Sequence, residues 1–512
     1  MSFSFLQRGS LPEYARQLVL ASDEPSLVLQ DLVTGIDNLR HDVYLSPKFS
    51  EIARQHILKL VAKHGNVEEL VAEERMAATR VPVRPKAPAN RQSDTAEFKK
   101  LLTELHVVSL NRAKAENNVS LDLLFRLAIL KFQRTELMNQ YAQVLERCRA
   151  RVKFYEAPRQ SGTNRTVEMR ERLAGFQINK KTVLRRAGQD LFVVLREAEK
   201  ETLGRTRRSL FGDNAAAIYE LFLNRLVFSE DGHDNLLNAE HYVMLGNYER
   251  DRDRFQVMRE IAAQYLKSLG VVPEADDPRV DGLLNAPENA HEIMAGGTPD
   301  DANPNGKAQK ALLNAWTELL ERENVIANVI ASYEAVPLLA QYSPPINPQQ
   351  LKNALISREE RKQVEALLEE QGKLSPDGLH AAIRKVESCK PAERAKIAGR
   401  FFADFTRYHR DLRRMEVVVA TMECVNVLGN ERFRELSAIN NTLYEFLLTE
   451  EQKPAEEKVV HHVVLKADIR ESTTLTRTLL EKGLNPASYF SLNFYDPINK
   501  LLPKYEAKKV FI

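Results

Sequence analysis

The sequence predicts a mainly α-helical chain of several domains whose C-terminal end changes to an α/β pattern. Apolar residues recur at steps of three and four over most of the 512 residues. Two stretches rich in proline or glycine interrupt this helical spacing, and a β-branched run follows near the C-terminal end. Because a chain of this length exceeds one ordinary hydrophobic core, we expect two to four domains.

Composition excludes several classes of protein. The 73 basic and 71 acidic residues give a net charge of +2, which argues against a surface coated with nucleic acid, so no nucleic-acid partner is expected. Cys148, Cys389 and Cys424 lie far apart and predict neither a zinc site nor a disulfide framework, which favours a reduced, cytoplasmic location. No segment approaches ~20 uninterrupted apolar residues, so neither a membrane span nor a membrane partner is predicted.

Changes in composition divide the chain into segments. Proline among basic residues predicts a semi-rigid linker, and a stretch rich in Pro, Gly, Asp and Asn predicts a flexible one, too polar to form a core. The predicted segments are an N-terminal helical segment (1–79), a Pro-rich linker (80–94), a helical domain (95–272), a flexible linker (273–306), a second helical domain (307–428), a connecting helix and joint (431–458) and a C-terminal module (459–512).

The first helical domain is predicted to contain long helices. Ser120 is the expected N-cap of one that continues through Leu145, and a second helical pattern covers residues 167–201. The second pattern ends in a basic cluster of three arginines. A solvated helix end is favoured there over a phosphate site, because no aromatic residues are interleaved. The cluster consists of Arg205, Arg207 and Arg208.

The second helical domain is predicted to be organised by aromatic residues. Trp316, the only tryptophan, lies among leucines at helical spacing and is the expected core anchor. A stripe of aromatic side chains on one helix face is more often core than a cofactor site, and His409 beside it is interpreted as a satisfied surface histidine. The stripe consists of Phe401, Phe402, Phe405 and Tyr408.

The stretch from Val459 to Leu475 contains the candidate site. Its β-branched, apolar first part predicts a buried strand that ends at Asp468, and the hydroxyl-rich turn after it leads into a helix stopped by Gly483. A carboxylate at a strand end followed by a helix N-terminus can hold a metal-bound polyphosphate, because the carboxylate binds the cation and the turn amides face the anion.

This stretch resembles the start of the class III adenylate/guanylate cyclase catalytic domain. That family opens with a strand ending in Asp-Ile, a turn containing Thr, a Leu-bearing helix, a second helix with an Asn-aromatic element, and a further strand before a Gly-Asp hairpin. The resemblance covers residues 459–512, about a tenth of the chain. The matching elements are Ala467-Asp468-Ile469-Arg470, Thr473 and Leu475, Ser491-Leu492-Asn493-Phe494-Tyr495, and Lys504 to Ile512.

The resemblance implies the start of an α/β, ferredoxin-like domain that converts ATP or GTP into a cyclic nucleotide with Mg²⁺ or Mn²⁺. Asp468 would be the metal carboxylate and the Ile469 carbonyl a further metal ligand, while Ser472 and Thr473 would lie near phosphate. The family carries its second metal carboxylate on the next hairpin, so we expect that carboxylate beyond Ile512 and no cyclase activity from residues 1–512 alone.

Alternatives remain open at this site. Diguanylate cyclases have a related fold, but Arg470 stands where their motif has its second Asp. Glu471-Ser472 stand where the class III family usually has Gly-Phe, and an acid at that position repels phosphate. A helical scaffold with a degenerate cyclase-like domain that only binds a partner is the alternative to an enzyme.

Residues 431–449 are predicted to form one helix before the candidate site, with a joint up to Lys458. Its apolar residues follow steps of three and four along a single face. This face either packs on the preceding helices or pairs with its copy in a homodimer, as the resemblance to dimeric cyclases implies. The face consists of Phe433, Leu436, Ile439, Leu443, Phe446 and Leu447.

Overall fold

A computed structural model describes residues 13–71, 91–155, 164–202, 207, 209–210, 219–228, 255–342, 346–371, 375–452 and 469–505. The chain divides into two compact units. We call residues 1–31 and 48–425 the helical unit, and residues 32–47 and 426–512 the sheet unit. The predicted mainly α architecture is confirmed for the described residues.

Helices make up almost all regular structure of the helical unit. No helix in the described ranges combines the length and the apolar character that crossing a bilayer requires. The α-helices are α1 (Glu13–Gln17), α2 (Pro47–His64), α3 (Arg91–Ala115), α4 (Val119–Tyr155), α5 (Asn164–Ile178), α6 (Lys180–Thr202), α7 (Phe255–Ser268), α8 (Arg279–Leu284), α9 (Asn289–Met294), α10 (Gly306–Arg322), α11 (Ile326–Ala335), α12 (Leu339–Tyr342), α13 (Pro348–Ile356), α14 (Arg358–Gln371), α15 (Asp377–Glu387) and α16 (Pro391–Met422).

Helix α16, which has 32 residues, lies at the centre of the second half of the helical unit. Pro391 opens it at a position where the missing amide costs nothing. The predicted aromatic stripe is buried along this helix, which confirms its role as core. Trp316 is 1% exposed and donates from Nε1 to the Ala398 carbonyl at 2.9 Å, so the predicted anchor role is also confirmed.

Two backbones meet closely where α16 passes the turn after α9. Gly297 has a φ of +96° and lies against Gly399 of α16. A Cβ on Gly297 would come within 2.7 Å of the Arg400 nitrogen and 2.8 Å of the Lys396 oxygen. Only glycine fits such an approach, because a side chain on either residue would overlap the other backbone.

Residues 273–306 differ from the flexible linker predicted from their composition. They contain α8 and α9, and several of their apolar side chains are fully buried within the helical unit. Short helices supply this burial although the segment is polar on average, because a few well-spaced apolar residues suffice for one face. The buried residues are Val280, Leu284, Ala286, Ala290, Ile293 and Met294.

Other helix boundaries also shift. Helix α4 confirms the predicted long helix, but its first turn is capped by Asn118, whose Oδ1 accepts from the Ser120 amide at 2.9 Å. The pattern over residues 167–201 divides into α5 and α6. Most of the Pro-rich linker (80–94) lies outside the described residues, and α3 already begins at Arg91.

The described residues form a three-stranded sheet in the order β2-β1-β3, which lies mainly in the sheet unit: β1 (His41–Leu45), β2 (Val425–Val427) and β3 (Leu443–Phe446). Central β1 runs parallel to β3, with Asp42 opposite Leu443 and Leu45 opposite Phe446. Strand β1 lies within the segment predicted to be helical. Buried Asp42 fixes the preceding loop, because its carboxylate accepts from the Ile36 amide and from the side chain of Asn426.

The single helix predicted over residues 431–449 is wrong beyond residue 439. Helix α17 (Glu431–Ile439) is followed by Asn441, which has a φ of +55°, and the chain continues as β3. Leu443 and Phe446 therefore belong to a strand and do not extend the face formed by Phe433 and Ile439. Apolar residues three and four positions apart fit a single helix, but over so short a stretch they also fit a helix followed by a strand. The spacing alone therefore led to the wrong prediction.

The last described residues, 469–505, are helical. They contain α18 (Ser472–Glu481), α19 (Pro486–Phe490), a π-helical turn (Ser491–Tyr495) and α20 (Asp496–Leu501), with a 3₁₀ turn at its end. Gly483 has a φ of +68° and ends α18, as predicted. The strand predicted before Asp468 lies outside the described residues.

The close approach at Gly399 generates a prediction for stability. Alanine normally favours a helix over glycine by about 1 kcal/mol. At Gly399 the added methyl overlaps the Gly297 backbone, so Gly399→Ala is expected to destabilise the protein by roughly 1–3 kcal/mol in urea unfolding. Gly175→Ala in α5 is the matched control, because a Cβ there meets no described atom within 4 Å. Equal stability of the two variants would contradict this packing.

Candidate functional site

The residues of the predicted metal and phosphate site lie at the start of α18. Asp468, the predicted metal carboxylate, lies outside the described residues, whereas Ile469 directly follows it without regular structure. Ser472 is half-buried and Thr473 is exposed, and both belong to the first turn of α18. The structure thus brings the two predicted phosphate contacts together at one helix N-terminus.

Glu471 connects Ile469 to this helix in an unusual conformation. It has a φ of +57° and a ψ of +30°, which is left-handed backbone that costs a residue with a Cβ about 1 kcal/mol. Its carbonyl accepts the first helical bond, from the Leu475 amide at 3.0 Å. Its side chain forms no capping bond with the first turn. The position where the cyclase family usually has glycine is therefore one that glycine fits without strain.

This helix start can attract an anion, because amides of a first turn point outward with a partial positive charge. The Glu471 carboxylate opposes such an anion. Within the described ranges, no group of three or more His, Cys, Asp and Glu side chains could hold a metal ion.

A second polar centre, which the sequence did not predict, is buried in the helical unit between α3, α4 and α6. We call it the charge network. Its members are His106, Ser109, Asp122, Arg126, Glu199, Arg207 and Tyr219.

Two arginines and two carboxylates balance each other in the charge network. Glu199 forms ion pairs with both Arg126 and Arg207. Asp122 accepts from Arg207 Nε at 3.2 Å and lies 3.6 Å from Arg126 Nε. Both guanidinium groups lie over the Tyr219 ring, with its centroid 4.5 Å from Arg126 and 4.4 Å from Arg207. Charges that are expensive to bury alone are thereby compensated.

Burial and these charges change the acidities in the charge network. Burial lowers the pKa of His106 to about 4, because a charged imidazole would lose its hydration. Burial alone would raise the pKa of Glu199, but the charges of Arg126, His106 and Arg207 lower it to about 2. At neutral pH the network therefore contains a neutral histidine beside an ionised glutamate.

The space inside the charge network restricts its chemistry. A cavity of about 20 Å³ is lined by His106, Arg126 and Glu199 together with apolar side chains. That volume is about enough for one water molecule and excludes an organic substrate. The network is therefore suited to stabilise the fold and to make it sensitive to acid.

Arg207 corrects the interpretation of the basic cluster as a solvated helix end, because its side chain is buried in ion pairs. Arg205 and Arg208 lie outside the described residues. One signal could have revealed the network. Asp122 and Arg126 are spaced four apart within an otherwise apolar stretch of α4, which indicates a buried ion pair.

His409 is buried beneath the exposed face of α8, which corrects its assignment as a surface histidine. Its Nδ1 lies 2.8 Å from Asn285 Oδ1, and its Nε2 lies 3.3 Å from Asp281 Oδ1. The hydrogen bond from His409, together with one from Arg259, holds the pKa of Asp281 well below its usual range although burial opposes this shift. His409 is thus a satisfied structural residue that orients Asn285.

Comparison with protein-family models, with curated protein sequences and with solved structures gives no match to this chain.

The acidity of His106 predicts how stability depends on pH. Its pKa is about 4 in the folded protein against 6.5 ordinarily, so the folded state binds fewer protons and stability falls as the pH falls below 6.5. Between these two pH values the wild type should lose about 3 kcal/mol that His106→Gln retains. The free energy of urea unfolding, measured from pH 7 to pH 4, reports the difference.

His380→Gln provides the control, because the His380 side chain is 43% exposed. It should follow the pH dependence of the wild type. If His106→Gln also loses stability in parallel with the wild type, the buried neutral state of His106 is wrong.

Proposed function

We propose that residues 459–512 form the opening part of a class III nucleotidyl cyclase-like module, and that the helical unit positions or regulates it. The observation that carries this proposal is the left-handed Glu471, at the start of α18, in the position where the family has glycine. A turn that favours glycine just after Asp468-Ile469 is what a loop close to phosphate requires.

The order of elements after Glu471 supports the same module. Helix α18 ends at Gly483, and a second helical stretch follows after a short turn. Asn485 caps α19 through its side chain, which accepts from the Ala487 amide. The Asn-aromatic element of the resemblance, Ser491–Tyr495, lies inside this second helical stretch. The succession of two helices agrees with the cyclase family, whereas Thr473, expected in the turn before the first helix, already lies within α18.

In this proposal Asp468 binds a divalent ion, Mg²⁺ or Mn²⁺, through its carboxylate, and the Ile469 carbonyl adds a ligand. Ser472 and Thr473 contact the phosphates of ATP or GTP from the first turn of α18. The reaction forms a 3′,5′-cyclic nucleotide and pyrophosphate. Two divalent ions, of which Asp468 and the Ile469 carbonyl would hold at least one, would supply activation of the attacking hydroxyl and charge stabilisation of the triphosphate.

Dimer formation and a cytoplasmic location belong to the same proposal. Exposed Phe433 and Ile439 on α17 are available for contact with a second copy, although the longer helical face is not formed. The three cysteines are free thiols, which suits a reducing compartment.

A helical scaffold with a non-catalytic cyclase-like domain is the second candidate. The Glu471 side chain favours it, because a carboxylate beside the first turn of α18 weakens the attraction for phosphate. A scaffold would use the same helices to hold a partner without turnover.

Replacement of Asp468 tests the enzyme directly. Asp468→Asn keeps the size of the side chain but removes the charge that would bind the metal, so cyclic-nucleotide formation by a chain extended past Ile512 with the second metal carboxylate should fall on the order of 100-fold or more. Asp496→Asn is the matched control, because Asp496 pairs with Lys500 on the surface of α20. Production is measured with Mn²⁺ and ATP or GTP. Equal turnover of both variants would exclude the proposed role of Asp468.

Replacement of Glu471 by glycine tests the phosphate site. The change removes both the left-handed strain, about 1 kcal/mol, and the repelling charge, so Mn²⁺-dependent binding of a fluorescent ATP or GTP analogue should tighten. Glu481→Gly at the other end of α18 is the control, because it makes the same change far from the first turn. The scaffold is favoured if neither variant, nor the wild type, shows saturable nucleotide binding.

A further inference from the structure

Residues 18–31 of the helical unit form neither helix nor strand, and we call them the strap. Apolar burial contributes little to holding it. Leu27 is its buried apolar side chain, whereas Val19 and Val28 are mostly exposed. A segment with so few buried contacts is held mainly by its hydrogen bonds, and segments held in this way open most easily.

Two buried asparagines bind the strap through its backbone. Asn289 accepts from the Ala21 amide at 2.9 Å and donates to the Ala21 carbonyl at 2.9 Å, which pairs both backbone groups of one residue. Asn285 donates to the Asp23 carbonyl at 2.9 Å. The Asp23 amide donates to the Gly282 carbonyl at 3.0 Å. Each of these hydrogen bonds involves a backbone group of the strap and none of its side chains.

One charged contact and one hydroxyl contact extend this binding along α16. Asp23 forms an ion pair with Arg414 at 3.0 Å, and Arg414 lies 3.5 Å from Glu220 as well. Thr421 donates to the Leu27 carbonyl at 3.3 Å. The surface thus selects an extended segment with a carboxylate at the position of Asp23.

Gly282 of α8 allows the strap to approach. A methyl group at this position would overlap the Ser22 hydroxyl and come within 3.3 Å of the Glu24 side chain. The strap residue facing Gly282 is itself small. Glycine at this position leaves room for these two side chains of the strap.

The two asparagines are held in place by the helical unit itself. Both are 2% exposed. Asn289 Nδ2 also donates to the Leu283 carbonyl at 2.8 Å, and His409 Nδ1 faces Asn285 Oδ1 at 2.8 Å. These bonds orient the two side-chain amides independently of the strap. Binding of the strap therefore does not have to order them, and such preorganisation favours binding.

We propose that α8, α9 and the C-terminal half of α16 form a binding groove for extended acidic peptide segments, which residues 20–27 of this chain fill. In this groove Asn285 and Asn289 bind the backbone of the segment, Gly282 leaves room for a small side chain, and Arg414 supplies a cation for the carboxylate. The sheet unit begins at residue 32, directly after the strap. Peptide binding here is independent of the cyclase-like module.

The first test measures hydrogen exchange in the intact chain. Asn289→Ala removes the paired contact, so the amides of Ala21 and Asp23 should exchange at least about tenfold faster in this variant. Gly175→Ala, where a Cβ meets no described atom within 4 Å, should leave them unchanged. Exchange that is equally fast in the wild type and in Asn289→Ala would overturn the groove.

The second test asks whether the groove binds a separate peptide. In the full chain, Ala21→Pro with Asp23→Arg removes one backbone donor and the acidic side chain of the strap while leaving the groove intact. A fluorescein-labelled peptide with the sequence of residues 17–30 should bind this variant at least about tenfold more tightly than the wild type, whose own strap competes. A thermal melt verifies that the variant is folded.

Adding Asn289→Ala to the strap variant is the matched control and should abolish peptide binding. The same labelled peptide with Asp23→Arg should bind at least about tenfold more weakly than the original peptide, because it lacks the carboxylate for Arg414. No saturable binding of the original peptide up to about 1 mM, the effective concentration of a short tether, would overturn the proposal.

Discussion

The close approach of Gly297 to Gly399 is the constraint on which the second half of the helical unit depends. Without a side chain at either position, the turn after α9 lies directly on α16. Trp316 binds the carbonyl of the neighbouring Ala398, so a large aromatic side chain fills the space beside the two glycines. One long helix thereby becomes the common partner of shorter helices that have too few apolar residues to be stable alone.

Polar groups buried in the helical unit serve two different purposes. The charge network compensates its own charges around Tyr219 and has room for about one water molecule, so its effect is on stability and on the response to acid. Asn285 and Asn289 are equally buried but point their amides at another segment of the chain. Buried amides that pair with backbone groups specify an extended partner, whereas a closed ion network specifies only its own helices.

The cyclase-like proposal depends on a few residues at the start of α18. A helix ending at Gly483 could be predicted from the sequence, because it follows local rules of spacing and glycine conformation, but the helix already includes the hydroxyl-rich residues 472–474 that were predicted as a turn. The left-handed conformation of Glu471 could not, because glutamate gives no local signal for it. This conformation of Glu471 is the observed backbone feature that supports the resemblance to the cyclase family.

Long helices were equally predictable, since Trp316 and the aromatic stripe of α16 repeat at helical spacing. Strand β1 was missed because His41 and Asp42 give it a polar start, and its partner β3 comes from the other end of the chain. Residues 273–306 are polar on average, so their composition did not predict that several apolar side chains among them are buried. Arg207 was misassigned because a basic cluster in sequence does not show that carboxylates meet it from other helices.

The structure describes α8 and α9 as parts of a helical unit that folds around α16. Native-state hydrogen exchange of the full chain tests this most directly. The amides of Asn285 and Glu292 should exchange within about tenfold of the rate for Phe402 and Phe405, because all four open with the same unit. Exchange of Asn285 and Glu292 as fast as in exposed loops, with Phe402 and Phe405 still protected, would show that residues 273–306 are a linker and contradict this account.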